Sequence, residues 1–315
     1  MEKNDKIYVA GHLGLVGSSL IRKLTKLGYS NLITKSRSEL NLTNQQAVNN
    51  FFAQEKPDYI FLAAAKVGGI VANQTLPAEF IYQNLMIEAN IIHAAYSYNV
   101  KKTIFLGSSC IYPRLAPQPI KEINLLTSPL EKTNEAYAIA KIAGIKLCEN
   151  YHKQYGFKYI AAMPTNLYGP NDNFNLEGSH VLPAMIRKFD DAKINNQSNV
   201  TLWGSGSVYR EFLHVDDLAT ALIFLMNSNQ DNGLINIGTG EDLTIRELAE
   251  KIKKVVAFNG EIIWDQTKPD GTPRKLLDIE FITGLGWKPQ IQLENGLRET
   301  YDWYLKAKEK NNTRQ

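Results

Sequence analysis

The chain has 315 residues, with 35 Lys plus Arg against 32 Asp plus Glu, a formal net charge of +3, and 44% hydrophobic residues. At roughly 150 residues per domain this length suggests about two units, with enough apolar content to bury a core, which excludes a disordered, collagen-like or disulfide-stapled protein. The lysines are scattered and the positive excess is small, so no nucleic-acid partner is expected.

Met1–Lys6 is polar and carries both charge signs, unlike a secretory or transit peptide. The longest apolar run, Tyr59–Ala65, stops at Lys66, well short of the roughly 20 residues that span a bilayer. Cys110 and Cys148 are too few for a disulfide framework, and triplets such as Asn73-Gln74-Thr75 read as chance matches. The expected compartment is the cytoplasm, with no membrane partner.

Ile7-Tyr8-Val9-Ala10 predicts a first strand that runs into glycine, and a helix bearing Leu20, Leu24 and Leu27 follows and stops at Gly28. Further strands are predicted at Leu32-Ile33-Thr34, Tyr59–Leu62, Thr103–Leu106 and Lys158–Ala162, with helices at Phe80–Tyr98 and Ala136–Tyr155. Short apolar strands alternating with helices imply parallel βαβ units and a sheet covered on both faces. After Pro164 the texture changes: Gly, Pro, Asn and Asp cluster from Asn166 to Ser179, then a helix is predicted over Val181–Asp191 and a strand over Leu234–Ile237. Thr244 stands three residues before Glu247, a capping-box spacing that opens a helix to Val256. Leu297, Tyr301, Tyr304 and Leu305 form a terminal helical stripe. The expected architecture is α/β: a doubly wound parallel, Rossmann-type sheet with a smaller C-terminal α/β lobe. Residues 1–165 would bind a nucleotide, segments near 211–240 would rejoin them, and 166–315 would mainly form the substrate-binding lobe.

Gly11, Gly14 and Gly17 directly follow the first strand and open the first helix, enclosing His12, Leu15 and Val16. Glycines there permit a tight turn and close approach to a pyrophosphate, which free helix N–H groups and the dipole favour. The bland alternative is an ordinary βα turn. At the end of the second strand an NAD site usually places Asp or Glu, about 20 residues on. Here the stretch is Thr34-Lys35-Ser36-Arg37-Ser38, with no acid. Arg37 suits a 2′-phosphate, so NADP is expected; a solvated charged loop is the alternative.

Tyr137 and Lys141 lie one helical turn apart on one face. An ammonium near the phenol is expected to lower its pKa from about 10 and make it usable at neutral pH. Leu106-Gly107-Ser108-Ser109-Cys110 ends a strand, where α/β sheets place ligands. Ser108 and Cys110 are two apart, so on an extended strand they face the same way.

These features, with Pro164-Thr165-Asn166-Leu167-Tyr168-Gly169-Pro170 and Phe212-Leu213-His214-Val215-Asp216-Asp217, resemble the extended short-chain dehydrogenase/reductases that act on nucleotide sugars. Ala63–Ile70, Gly107–Pro113 and Lys268–Lys275 narrow the resemblance to the GDP-L-fucose synthase family, over nearly the whole chain. The resemblance implies NADPH-dependent conversion of GDP-4-keto-6-deoxy-D-mannose to GDP-L-fucose, by epimerisation at carbons 3 and 5 followed by reduction of the 4-ketone. It implies that Ser108 and Tyr137 hold the 4-oxygen, that Tyr137 protonates it, and that Lys141 tunes Tyr137 and binds the nicotinamide ribose. Cys110 is then the epimerisation base and His180 the acid. Leu106, Gly107, Ser109, Pro164, Thr165, Asn166, Leu167 and His180 line the cofactor, and Lys188, Trp203, Arg210 and Asp270 contact the GDP-sugar. No metal is implied, and a homodimer paired through the helices near Phe80–Tyr98 and Ala136–Tyr155 is.

One position departs from the pattern. The family often carries arginine after the Gly-His of the first loop, where this chain has Leu13, removing one 2′-phosphate partner. Cys148, His93, His152 and His214 read as packing or structural residues. The rival readings are a nucleotide-sugar 4-epimerase, a 4,6-dehydratase, or a non-catalytic NADP-binding protein. A dehydratase would show an acidic pair after the serine, where this chain has Ser109-Cys110-Ile111.

Overall fold

The computed structural model describes residues 1–310 apart from Glu177 and Pro269. The first half runs β1 (Ile7–Ala10), α1 (Leu15–Lys26), β2 (Leu32–Ile33), α2 (Gln45–Glu55), β3 (Tyr59–Leu62), α3 (Ile70–Thr75), α4 (Pro77–Ser97), β4 (Lys102–Leu106), α5 (Glu135–Tyr155) and β5 (Tyr159–Pro164). The second half continues with β6 (Asn166–Tyr168), α6 (Val181–Ile194), β7 (Asn199–Trp203), β8 (Tyr209–Arg210), β9 (Phe212–His214), α7 (Val215–Asn227) and β10 (Asn232–Ile237). It ends with β11 (Leu243–Thr244), α8 (Ile245–Val256), β12 (Glu261–Asp265), β13 (Arg274–Lys275), α9 (Glu280–Gly284) and α10 (Leu293–Glu309).

The central sheet has six parallel strands in the order β2-β1-β3-β4-β5-β10. The inner strands β1, β3 and β5 are apolar runs because both faces are covered. Tyr8, Ile60 and Phe105 meet Phe51, Phe52, Ile91, Ile92 and Ile145 from α2, α4 and α5. On the other face Ile7, Val9 and Ile104 meet Leu20 and Leu24 of α1, Leu218 and Leu222 of α7, and Ile282 and Trp287 at and beyond α9. The strand order reverses between β1 and β3, which opens a crevice at the carboxyl ends of these strands.

A third core, with Phe174, Leu182, Ile186, Phe189, Leu248, Ile252, Leu297 and Tyr301, belongs to α6, α8, α10 and the loop before α6. Small sheets flank it: β6 with β9, β7 with β12, and β8 between β11 and β13. The capping box at α8 forms as expected, with Thr244 N donating to Glu247 Oε2 at 2.8 Å and Glu247 N to Thr244 Oγ1 at 3.1 Å. Among the described residues no helix is long and apolar enough to cross a membrane, and no group of three or more His, Cys, Asp and Glu could hold a metal ion.

Candidate active site

The crevice floor begins with the glycine turn after β1. Gly11 has φ +84°, and a β-carbon on Gly17 would lie 2.1 Å from the Gly11 carbonyl oxygen. The turn therefore closes only with glycine at both ends. The N-terminus of α1, at Gly14, has no side-chain cap, which leaves its first N–H groups for a ligand. His12 Nδ1 is buried without a partner, and Asn171 Nδ2 donates to the Leu13 carbonyl at 3.0 Å. Uncapped N–H groups over a glycine turn fit the pyrophosphate of a dinucleotide. Leu13 is 60% exposed and adds nothing polar to the turn. Leu15 and Val16 form the first turn of α1, with Val16 in the core.

Arg37 is exposed on the loop after β2. One residue past the Thr34–Ser38 stretch there is an acid after all. Glu39 accepts hydrogen bonds from Ser36 N (2.7 Å) and Ser36 Oγ (2.6 Å), which hold its carboxyl below the usual range. Its charge is taken up by this turn, while Arg37 remains turned to solvent. The loop after β3 is fixed by Asn84, which exchanges hydrogen bonds with Lys66 N (2.8 Å) and Lys66 O (3.0 Å).

At the end of β4, Gly107 lies against Met163, where a β-carbon would meet Met163 Cε at 2.0 Å. Ser108 and Cys110 do converge, but not on an extended strand. β4 ends at Leu106, and Ser109–Ile111 make a 3₁₀ turn whose N-cap is Ser108, with Cys110 N donating to Ser108 Oγ at 3.3 Å. Cys110 also faces β13, where Lys275 Nζ stands 3.5 Å from its Sγ. Burial by itself would raise the thiol pKa, but the Lys275 ammonium, a hydrogen bond with Ser108 and the Arg210 charge together draw it below the ordinary thiol value. His180 is the N-cap of α6; desolvation, then the Lys275 charge, hold its pKa below the usual histidine value. Lys275 thus acts on both groups.

Tyr137 packs edge-on against Phe80, with ring centroids 6.4 Å apart, and the Ser108 hydroxyl favours its ionised form slightly. The expected lowering of its pKa is reversed. Burial first, then the Cys110 and Glu88 charges, push the phenol well above its ordinary value. Lys141 does not offset this: its Nζ lies 3.0 Å from Glu88 Oε1 and donates to the Leu106 carbonyl at 3.0 Å. Tyr137 is therefore a neutral phenol at ordinary pH.

Pro164 ends β5, and the next residues are tied across to β9: Thr165 Oγ1 and Asn166 Nδ2 both donate to the Glu211 carbonyl, at 3.3 and 2.8 Å, and Leu167 pairs in register with Leu213. The Glu211 carboxylate, fully buried, accepts from Thr239 N (2.6 Å), Gly240 N (2.8 Å) and Leu277 N (3.0 Å). One side chain thus fastens the segments that carry Arg210 and Lys275. Lys188 and Trp203 line another wall of the lobe. Lys188 Nζ donates to Thr201 O at 3.1 Å and sits 6.0 Å from the Trp203 ring centroid. It borders a cavity of about 540 Å³ shared with Leu176, Asp191 and residues 197–201. Asp270 accepts from Ser205 N (2.7 Å) and Ser205 Oγ (2.9 Å), which shapes the turn after Trp203; the preceding Pro269 lies outside the described residues.

Ser108, Cys110, Tyr137, Lys141 and His180 are thus brought around one crevice, with Arg210 close to Cys110. Sequence patterning does not single out Glu88, Glu211 or Lys275, which the fold adds to the site. Glu88 carried a legible signal, a charge on the buried stripe Asn84–Glu88–Ile91–Ala95 of a helix. The remaining histidines have local partners: His93 Nδ1 pairs with Tyr151 Oη at 2.7 Å, His152 Nδ1 with the Phe157 carbonyl at 2.7 Å, and His214 caps α7. Cys148 is buried, and burial raises its pKa.

The profile of the NAD-dependent epimerase/dehydratase family matches residues 7–238. GDP-L-fucose synthase 1 of Arabidopsis thaliana is 60% identical over 305 residues, covering 97% of this chain and 94% of its own. The GDP-L-fucose synthase of Escherichia coli is 55% identical over 315 residues, covering 97% and 98% respectively. A solved GDP-L-fucose synthetase from Naegleria fowleri bound to NADP superposes with a TM-score of 0.93 at 30% identity, covering 100% of this chain and 96% of that one.

Proposed function

The chain belongs to the GDP-L-fucose synthase family of NAD-dependent epimerase/dehydratases, and from that membership we propose that its crevice converts GDP-4-keto-6-deoxy-D-mannose to GDP-L-fucose. The observation that carries this reading is Lys275 Nζ 3.5 Å from Cys110 Sγ, with Cys110 N bonded to the Ser108 hydroxyl at the end of β4. With His180 and Tyr137, that arrangement supplies a base, an acid and a carbonyl-binding pair in one crevice.

In this reading the Cys110 thiolate removes the proton beside the ketone, at carbons 3 and 5 in turn. His180 delivers a proton to the opposite face of the ring. Ser108 and Tyr137 donate hydrogen bonds to the 4-oxygen and so stabilise the enolate while it exists. NADPH, when bound, supplies the hydride to carbon 4. Tyr137, held neutral, then gives its proton to the 4-oxygen. Lys141 orients the nicotinamide ribose, the Gly11–Gly17 turn holds the pyrophosphate, and Arg37 takes the 2′-phosphate. Arg210 and Lys188 meet the substrate pyrophosphate, Trp203 the remainder of the nucleotide, and Asp270 keeps the Trp203 turn in shape. A working free thiol suits a reducing compartment, which supports the cytoplasm.

The test is NADPH oxidation on adding GDP-4-keto-6-deoxy-D-mannose, with GDP-L-fucose identified as product. A protein that binds NADPH tightly and turns over no nucleotide sugar would instead be a binding protein. Arg37→Ala is expected to raise KM for NADPH roughly 10–100-fold, the worth of a charge-assisted pair, with little change for NADH. An equal effect on both cofactors would show that Arg37 does not read the 2′-phosphate.

We also propose a homodimer. Tyr82 of α4 is 60% exposed and Ile139 of α5 is 43% exposed, on helices that pack side by side. Light scattering should give twice the 35.5 kDa of one chain, and the single-chain mass would refute the pairing.

A further inference from the structure

Glu211 touches none of the reacting groups, yet its side chain is fully buried and four donors converge on it. Thr239 N, Thr239 Oγ1 and Gly240 N, just beyond β10, all donate to Oε1, the hydroxyl at 3.3 Å, while Leu277 N donates to Oε2. Space for the side chain comes from Gly238, where a β-carbon would lie 2.2 Å from Glu211 Oε1. All four partners donate, so the position requires a side chain that accepts at both oxygens, as a carboxylate does.

The strands beside it need such a tie. β8 and β13 are two residues long and pair in one register, Tyr209 with Arg274 and Arg210 with Lys275. Pairs that short have little stability of their own. Beyond β13 the chain is bonded to the segment after β4: Leu276 N donates to Gln118 Oε1 and Ile120 N to Leu276 O, both at 2.8 Å. Glu211 follows Arg210 directly. One of its oxygens holds the end of β10 in the central sheet, and the other holds Leu277, two residues past Lys275.

These two strands carry the charges around the thiol. Lys275 Nζ lies 3.5 Å from Cys110 Sγ, and Arg210 acts on the same sulfur from β8. Tyr137 faces Cys110 from α5, and His180 faces Lys275 from α6. Arg114 and Arg274 line a small cavity with Cys110, but each is paired with an acid, Glu131 and Asp242 respectively.

We propose that Glu211 is a positioning residue for epimerisation, joining β8, β13 and the end of β10 so that Arg210 and Lys275 stand against Cys110. The inference rests on the base role of Cys110 proposed above. The thiolate is the working form, so deuterium entry falls as pH drops through the thiol pKa. Arg210 and Lys275 draw that pKa down. Letting them recede raises it, and the acid limb moves to higher pH.

Glu211→Gln, nearly equal in shape, tests this because its amide N–H must face one of the buried donors. Two rates are followed against pH on the full chain: deuterium entry at carbons 3 and 5 of GDP-4-keto-6-deoxy-D-mannose, and alkylation of Cys110 by iodoacetamide. Cys148, buried and raised in pKa, stays unreactive. Both midpoints should rise by about one pH unit, a tenfold change in the ionisation constant, with KM for NADPH unchanged. Midpoints at the wild-type pH, or a loss equal at every pH, overturn the proposal. Should the variant fold poorly, Glu211→Asp carries the test: its carboxylate is one methylene short, so the midpoints rise by less, and wild-type midpoints overturn the proposal. In a Lys275→Met background Glu211→Gln should add little, and a fully additive shift overturns the link through Lys275. Alkylation needs no turnover: a wild-type protein that turns over no nucleotide sugar fails the functional reading, while the alkylation midpoints still decide whether Glu211 places the two cations.

Discussion

Cys110→Ser will abolish deuterium entry at carbons 3 and 5 of the sugar while NADPH still binds. A serine hydroxyl in the same place ionises far less readily than a thiol, so the Lys275 ammonium that steadies a thiolate gains nothing from it. The loss should be about 10²–10⁴-fold, the usual worth of a positioned proton-transfer group. Because fold and nucleotide turn are untouched, the thermal midpoint should stay near wild type and NADPH should still quench tryptophan fluorescence or shift that midpoint upward. Deuterium entering at the wild-type rate would remove Cys110 from the base role and move attention to another group in the crevice.

Lys275→Met is the second large effect, and its sign can be worked out. The base form of Cys110 is required, so epimerisation falls as pH drops through the thiol pKa. Lys275 lowers that pKa, and its removal raises it, so the acid limb moves to higher pH. The same ammonium lowers the His180 pKa, so its removal keeps the imidazole protonated to higher pH as well. The whole bell therefore shifts upward: at neutral pH the thiolate fraction falls about tenfold for each unit of thiol shift, while the greater protonation of His180 offsets part of that loss. Arg210, which also draws the thiol pKa down, limits the shift. Rates that recover as pH is raised support the charge argument. A variant equally slow at every pH would mean that Lys275 matters only for packing.

Much of the central sheet was legible because buried parallel strands are written as unbroken apolar runs, as in Ile7–Ala10 and Tyr59–Leu62. The capping box at Thr244 was legible for the same local reason, since its two partners are three residues apart. The sheet of β8, β11 and β13 was not, because two-residue strands carry no period for a pattern to show. The crevice divides in the same way. Tyr137 and Lys141 declared themselves by helical spacing, but the state of the tyrosine depends on Glu88, which arrives from a different helix. Lys275 was visible only as one cation in a basic segment, and nothing local tied it to Cys110. Likewise, the meeting of Ser108 and Cys110 depends on a turn rather than on strand alternation. Charges that act through long-range contact need the fold before they can be read.

The path of the backbone has a mechanical corollary. After β5 the chain leaves the sheet for β6 and α6, returns as α7 and β10, departs again through α8, comes back as α9, and ends in α10 on the far body. A closing motion over a bound sugar must therefore bend several peptide bridges in concert, with the Glu211 carboxylate knotted among them. Such a joint favours a small rigid rotation over the wide swing of a single hinge. For the same reason no single cut in the polypeptide would release either body whole.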